Sequence, residues 1–92
     1  MGKAQDRPQI NVCNGGSIAG GTDDFVFVNN NNSSNCIVQW QNPKPPGQQN
    51  VSVPANGTSH PINCKNWPAN TYPYIASNCG CTTETNPSIQ MQ

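Results

Sequence analysis

The residues most able to do chemistry in this sequence are its five cysteines: Cys13, Cys36, Cys64, Cys79 and Cys81. Such a density is high for a small domain and favours an oxidising compartment, where cysteines form disulfides. Because the number is odd, we expect at least one free thiol or an intermolecular bond. Cysteine thiolates also bind zinc and Cu(I), so a metal site is the alternative chemistry.

Two of these cysteines, Cys79 and Cys81, are separated only by Gly80. In extended chain, residues i and i+2 lie roughly 6.5–7 Å apart at Cα, which is at or past the limit for a disulfide. We therefore expect each of them to bond a distant partner. A single Cys-x-Cys pair is also a weaker signal for a metal site than two Cys-x-x-Cys pairs.

The remaining reactive residues do not form a catalytic motif. His60 is the only histidine, and its Ser-His-Pro context is typical of a surface residue or a hydrogen-bonded strand residue. Glu84 is the only glutamate, and no second carboxylate near it would face it across a cleft. No Gly-x-Ser-x-Gly nucleophile elbow occurs. The sequence therefore predicts a protein that is not an enzyme.

The composition limits the classes of partner. Charged residues make up 9% of the chain and the formal net charge is zero, which disfavours nucleic-acid binding. No apolar run approaches the roughly 20 residues that span a bilayer, so membrane insertion is not expected. Abundant asparagine and glutamine with few charges favour an extracellular or self-assembling surface. We expect a protein partner or self-association.

The first residues differ from the rest of the chain. Residues 1–8 are polar and are predicted to form a flexible tail, with the folded domain spanning residues 9–92. They contain no apolar segment of the kind found in a secretory signal peptide. The cysteines nevertheless favour an extracellular or other oxidising location.

The elements that must position these residues are predicted to be strands. Nine prolines, spread along the chain, leave almost no window for a helix. The apolar residues instead alternate with a period of two. We predict about seven strands, at residues 9–13, 24–29, 36–40, 50–54, 58–62, 71–77 and 88–92. Apolar residues on both faces of 24–29 indicate a central strand, and the whole pattern predicts an all-β sandwich.

The order of these segments resembles the cupredoxin family. "FVFVN" leads through a polar loop to "CIVQW", then "VPANGTS" forms a turn before a strand, and "NTYPYIASNCGCTTETNPSIQM" supplies a strand, a loop and a closing strand. The resemblance covers residues 24–92 and implies a cupredoxin-like Greek key. The strand pattern alone fits an immunoglobulin-like sandwich equally well.

The usual copper ligand set of that family is lacking. Blue copper sites use two histidines, one cysteine and a weak axial methionine. Cys36 or a neighbour stands where the first histidine would fall, and Cys79 or Cys81 stands at the cysteine position. The ligand loop contains no histidine, and Met91 lies in the closing strand. The resemblance therefore implies the fold without electron transfer.

The same resemblance implies that Cys36 and the loop of Cys79 and Cys81 meet at one end of the sandwich. A bond from Cys36 to Cys79 or Cys81 is then the first expectation. A bond of Cys64 to Cys13, or to the remaining loop cysteine, is the second. The alternative is a copper or zinc site made from Cys36, Cys79, Cys81 and His60.

Trp67 is the candidate for a binding residue on the surface. It lies in the loop "KNWPAN", and an exposed indole there could stack on a sugar ring or on a protein partner. The competing interpretation is a plug over one end of the core. Taken together, the sequence predicts a non-enzymatic structural or interaction module, stabilised by disulfides and without a cofactor.

Overall fold

The computed structural model describes residues 7–29, 34–81 and 87–92. Within these ranges the chain forms no helix and nine strands, which are β1 Gln9–Asn11, β2 Gly16–Ile18, β3 Asp24–Asn29, β4 Cys36–Trp40, β5 Val51–Val53, β6 Gly57–Thr58, β7 Ile62–Asn63, β8 Asn70–Ser77 and β9 Ser88–Met91. They form two sheets, so the predicted all-β sandwich is confirmed. None of the described ranges contains a helix long and apolar enough to cross a membrane.

The first sheet is built around β3. β1 pairs with β3 in parallel, while β6 and β7 pair with it antiparallel. Phe25 and Phe27 are fully buried between the sheets, and Val26, on the opposite face, is also buried. β3 is therefore the central strand that its two apolar faces predict.

The second sheet has the strand order β2-β9-β8-β4-β5. β8 pairs antiparallel with both β4 and β9, and its Tyr72 and Tyr74 point into the core. Ile75, on the outer face of β8, is 47% exposed. β9 lies between β2 and β8, so its "SIQM" segment is an interior strand and not an open edge.

The first described segment, residues 7–18, closes one side of the sandwich, and we call it the strap. Its β1 belongs to the first sheet and its β2 pairs in parallel with β9 of the second sheet. Gly15, with φ of 69°, passes so close to β9 that a Cβ there would lie 2.8 Å from the Ser88 nitrogen. β2 was not predicted, because a glycine-rich stretch in a sequence looks like a connection between strands.

The predicted tail, residues 1–8, falls only partly within the part of the chain that the structure describes. Residues 1–6 lie outside the described residues. Arg7 Nε lies 2.8 Å from Asp24 Oδ1, and the Pro8 carbonyl accepts a 3.0 Å hydrogen bond from Val26 N–H. Arg7 and Pro8 therefore both contact β3, while the bounds given for the tail and the domain stay a prediction.

The single strand predicted at residues 58–62 is two short strands, β6 and β7. The Ser59 hydroxyl interrupts the ladder because it accepts a 2.9 Å hydrogen bond from Phe27 N–H and lies 2.9 Å from the His60 carbonyl, to which it donates. Pro61 has no N–H with which to continue the pairing. Pairing resumes where Ile62 meets Phe25.

Candidate functional site

Two disulfides gather at one end of the sandwich, which we call the crosslinked end. Cys36 begins β4 and bonds Cys79, just after β8, with Cα atoms 4.7 Å apart. Cys13, just after β1, bonds Cys81 with Cα atoms 5.4 Å apart. Both bonds end in the tripeptide Cys79-Gly80-Cys81, so the loop after β8 is tied to β4 and to the strap.

The Cys36–Cys79 bond is the first of the pairings expected from the cupredoxin resemblance. The second expectation is wrong, because Cys13 bonds Cys81 and Cys64 stays a free, buried thiol. Cys64 follows β7 at the start of β3, which is the opposite end of the sandwich from the disulfides. Its N–H donates to the Asp23 carbonyl at 2.9 Å, which fixes the residue away from the other cysteines.

The environment of Cys64 keeps its thiol protonated. Burial, together with the nearby Asp24 and Asp23 carboxylates, raises the pKa of the Cys64 thiol. Its sulfur lies 3.5 Å from the Thr22 carbonyl, to which the S–H donates. A buried, neutral thiol is a poor nucleophile, so this residue is a packing residue and not a reactive cysteine.

Asn29 holds two connections of the crosslinked end together. It follows Phe25 and Phe27 on the inward face of β3 and is only 1% exposed. Its amide nitrogen lies 3.2 Å from the Ser34 carbonyl and 3.3 Å from the Pro54 carbonyl, and donates to both. This role was not predicted from the sequence. Its signal is that Asn29 continues the alternation of inward-facing residues begun by Phe25 and Phe27.

Tyr74 anchors the strap from the core. Its hydroxyl donates a 2.9 Å hydrogen bond to the Val12 carbonyl across the two sheets. Val12 and Tyr74 are each 1% exposed, so solvent cannot replace this bond. The side chain therefore connects β8 to the strap one residue before Cys13.

Tyr74→Phe is expected to lower the free energy of unfolding by about 1–2 kcal/mol, because it leaves the buried Val12 carbonyl without a donor. Urea unfolding at neutral pH measures this loss. Tyr72→Phe is the matched control, since the Tyr72 hydroxyl bonds the Pro68 carbonyl in a part-buried position. An equal loss in both variants would contradict the anchoring role.

The same tyrosine predicts an alkaline limit to stability. Burial raises the pKa of Tyr74 above its ordinary value. The unfolded chain therefore releases this proton first, and the stabilising contribution is lost as the pH rises above about 10. Unfolding curves between neutral pH and pH values above 10 should show a shallower decline for Tyr74→Phe than for the unsubstituted protein.

Trp67 does not form the predicted surface site. It is 7% exposed and packs against Phe25, Trp40 and Tyr72, with ring centroids 5.4–5.7 Å apart. All six aromatic residues of the chain are buried in the same core cluster, namely Phe25, Phe27, Trp40, Trp67, Tyr72 and Tyr74. The exposed placement is therefore wrong, and sugar stacking on Trp67 has no available ring face.

His60 lies at a groove between the two sheets, on the side opposite the strap. The groove has a volume of about 450 Å³ and is lined by residues 47–52 and 60–62. β5 forms the open edge of the second sheet here, and Ile62 of β7 contributes from the first sheet. No Asp, Glu, Lys or Arg lines the groove, whose surface consists of amide groups, a hydroxyl, the His60 imidazole and apolar groups.

The structure does not assemble the alternative copper or zinc set. The sulfurs of Cys36, Cys79 and Cys81 are all in disulfides, and a disulfide sulfur carries no thiolate charge for a metal. His60 lies at the groove and not with these sulfurs. Among the described residues, no three His, Cys, Asp or Glu side chains form a group that could hold a metal ion.

No family model, curated protein or solved structure matches this chain. The observations that bear on function are therefore the crosslinked end, the anchored strap and the groove beside β5.

Proposed function

We propose that this protein is a non-enzymatic structural or interaction module that binds a protein partner, including further copies of itself. The observation that carries the proposal is the pair of disulfides that ties one loop to both sheets. They use four of the five cysteines as crosslinks. Such bonds suit a small domain that must stay folded outside the reducing cytosol.

The cupredoxin resemblance is part of the same proposal. It would assign copper ligands to the neighbourhoods of Cys36 and of Cys79 or Cys81. A Cys36–Cys79 disulfide at these positions supports a sandwich of that type in which a crosslink stands in place of the metal. In such a module the crosslinked end stabilises the fold.

The surface proposed for binding is the exposed edge of β5 together with the adjoining groove. Among the described residues β5 pairs only with β4, so alternate backbone groups of residues 51–53 face outward. Asn50 and Ser52 are exposed there, and no Asp, Glu, Lys or Arg side chain lines the groove. Two copies can therefore bring the same edge together without like-charge repulsion, as a symmetric dimer requires.

Light scattering across a concentration series tests this proposal. The oxidised protein is expected to form a reversible dimer with a dissociation constant of about 1 mM, which corresponds to weak pairing. Ser52→Lys should abolish it, because a lysine on an edge strand blocks strand pairing. Thr71→Lys is the matched control, since Thr71 is also exposed but lies on the interior strand β8.

Two results would contradict the edge as the binding surface. One is a strict monomer at every concentration, and the other is equal loss of association in both lysine variants. The first would leave a partner of another sequence to be sought. The second would place association on a different face.

A further inference from the structure

The strap is a separable part of the sandwich that brings core side chains with it. Ile10, Val12 and Ile18 are buried in the common core. Their neighbours are β3 of the first sheet and β8 and β9 of the second. These contacts would be the same if the strap came from another copy of the chain.

The strap joins the rest of the chain through a turn that depends on glycine. Thr22 N–H donates to the Ala19 carbonyl at 3.3 Å, and Gly21 has a φ of 87°. A Cβ on Gly21 would meet nothing within 4 Å, so backbone conformation and not space determines which residue fits. An extended connection at residues 19–23 would carry the strap away from its own sandwich.

One covalent bond keeps the strap in place. Cys13–Cys81 joins the strap to the loop after β8, whereas Cys36–Cys79 lies entirely outside the strap. Cys13 and Cys81 are partly exposed, whereas Cys36 is 0% and Cys79 is 1% exposed. A reductant therefore reaches the bond on the strap more easily than the buried one.

We propose that opening Cys13–Cys81 lets two copies exchange their straps and form a symmetric swapped dimer. On reoxidation, Cys13 of each copy bonds Cys81 of the other. Exchange keeps the contacts that the strap makes with the sheets and changes only the connection at residues 19–23, which is why swapping is a low-cost route to dimers. Strap exchange is a specific form of the proposed self-association. It rests on that proposal only because in both cases the partner is a second copy of the chain.

The redox steps balance with a dithiol reductant and glutathione disulfide. The dithiol transfers two electrons and two protons to the Cys13–Cys81 bond, giving two thiols and an oxidised cyclic dithiol. On reoxidation, the two thiols lose two electrons and two protons to one glutathione disulfide for each new bond. Each such bond releases two molecules of glutathione.

An isotope-mixing experiment tests the exchange directly. Unlabelled and ¹⁵N-labelled copies are mixed in equal amounts, opened with limiting dithiothreitol, concentrated and reoxidised with glutathione disulfide. The dimer is then isolated, denatured, alkylated and cleaved before Asp6, Asp23 and Asp24. Fragments 6–22 and 24–92 are then joined only by Cys13–Cys81, because Cys36–Cys79 lies within the second fragment.

About half of the joined fragments from the dimer should pair a light fragment with a heavy one, the statistical fraction for free exchange between copies. Fragments of a single isotope only, or no dimer after reoxidation, would overturn the proposal. The Cys64→Ala variant goes through the same procedure, so that a dimer linked through the free thiol is not mistaken for exchange.

A glycine substitution tests the turn under the same opening and reoxidation steps. Gly21→Val is expected to raise the dimer fraction about tenfold, because a β-branched residue disfavours positive φ in the closed turn. Gly47→Val is the matched control, since Gly47 also has positive φ (69°) with nothing within 4 Å. Equal dimer fractions in the two variants would count against the exchange.

The edge variant separates this proposal from the preceding one. Ser52→Lys should still exchange straps, because Ser52 lies on β5 and the strap pairs with β3 and β9. Loss of reversible association with retained exchange would leave the strap proposal standing. In the unsubstituted protein, reversible association without mixed-isotope fragments would overturn the exchange and leave only the edge proposal.

Discussion

Replacing Cys36 and Cys79 together with alanine is expected to lower the free energy of unfolding by about 4 kcal/mol in the chain-entropy account of disulfides. The bond spans 43 residues, so its removal releases a long loop in the unfolded chain. Both side chains are buried, and alanine would also leave small cavities in the core. A domain of this size has little stability to spare.

Urea unfolding of the double variant measures this loss. The Cys13→Ala/Cys81→Ala variant is the comparison, since its bond spans 68 residues but is partly exposed. We expect the buried pair to cost at least as much despite its shorter loop. A loss under about 1 kcal/mol for the buried pair would mean that the crosslinked end adds little to stability.

Trp67→Ala is expected to cost about 3–5 kcal/mol, the usual range for removing a large aromatic side chain from a core. Trp67 contacts three other rings edge-on and covers the end of the core opposite the disulfides. Its removal would expose Phe25 and Trp40 to solvent. Thermal or urea unfolding followed by far-ultraviolet circular dichroism measures the effect.

Ile75→Ala is the control for Trp67, because the Ile75 side chain is 47% exposed on the outer face of β8. A change within about 0.5 kcal/mol is expected there, as for most surface substitutions. If Trp67→Ala left stability unchanged and abolished binding to a glycan, the indole would be a surface residue after all. That result would contradict the packing described for this end.

The strands with strong side-chain alternation could be predicted from sequence alone. β3 and β4 have the predicted bounds because their apolar residues alternate without interruption. β2 could not be found in this way, since Gly16 and Ser17 carry almost no side-chain signal and the strand depends on backbone pairing with β9. The split between β6 and β7 depends on the Ser59 hydroxyl, which sequence patterns do not report.

Contacts at the site were predictable only where the order of strands along the chain determines which residues lie close together. The cupredoxin resemblance implied a bond from Cys36 to Cys79 or Cys81, and Cys36 lies close to Cys79 because β4 and β8 pair antiparallel. The partner of Cys81 depends on where the strap crosses between sheets, and β2 was missing from the prediction. The burial of Trp67 likewise depends on three rings from distant strands.

The strand available for pairing in the second sheet is β5, which lies at an edge of the sheet, whereas β9 lies between β2 and β8. β5 is only three residues long, and short edge strands limit uncontrolled pairing. This favours weak, reversible association at the β5 edge over aggregation.

Intact mass after alkylation in denaturant without reduction tests the central claim most directly. The crosslinked sandwich predicts one alkylated thiol, Cys64, with Cys13–Cys81 and Cys36–Cys79 recovered as the linked peptides. Five alkylated thiols, with a bound metal ion in the native mass spectrum, would contradict the account. The end described as crosslinked would then be a thiolate metal site.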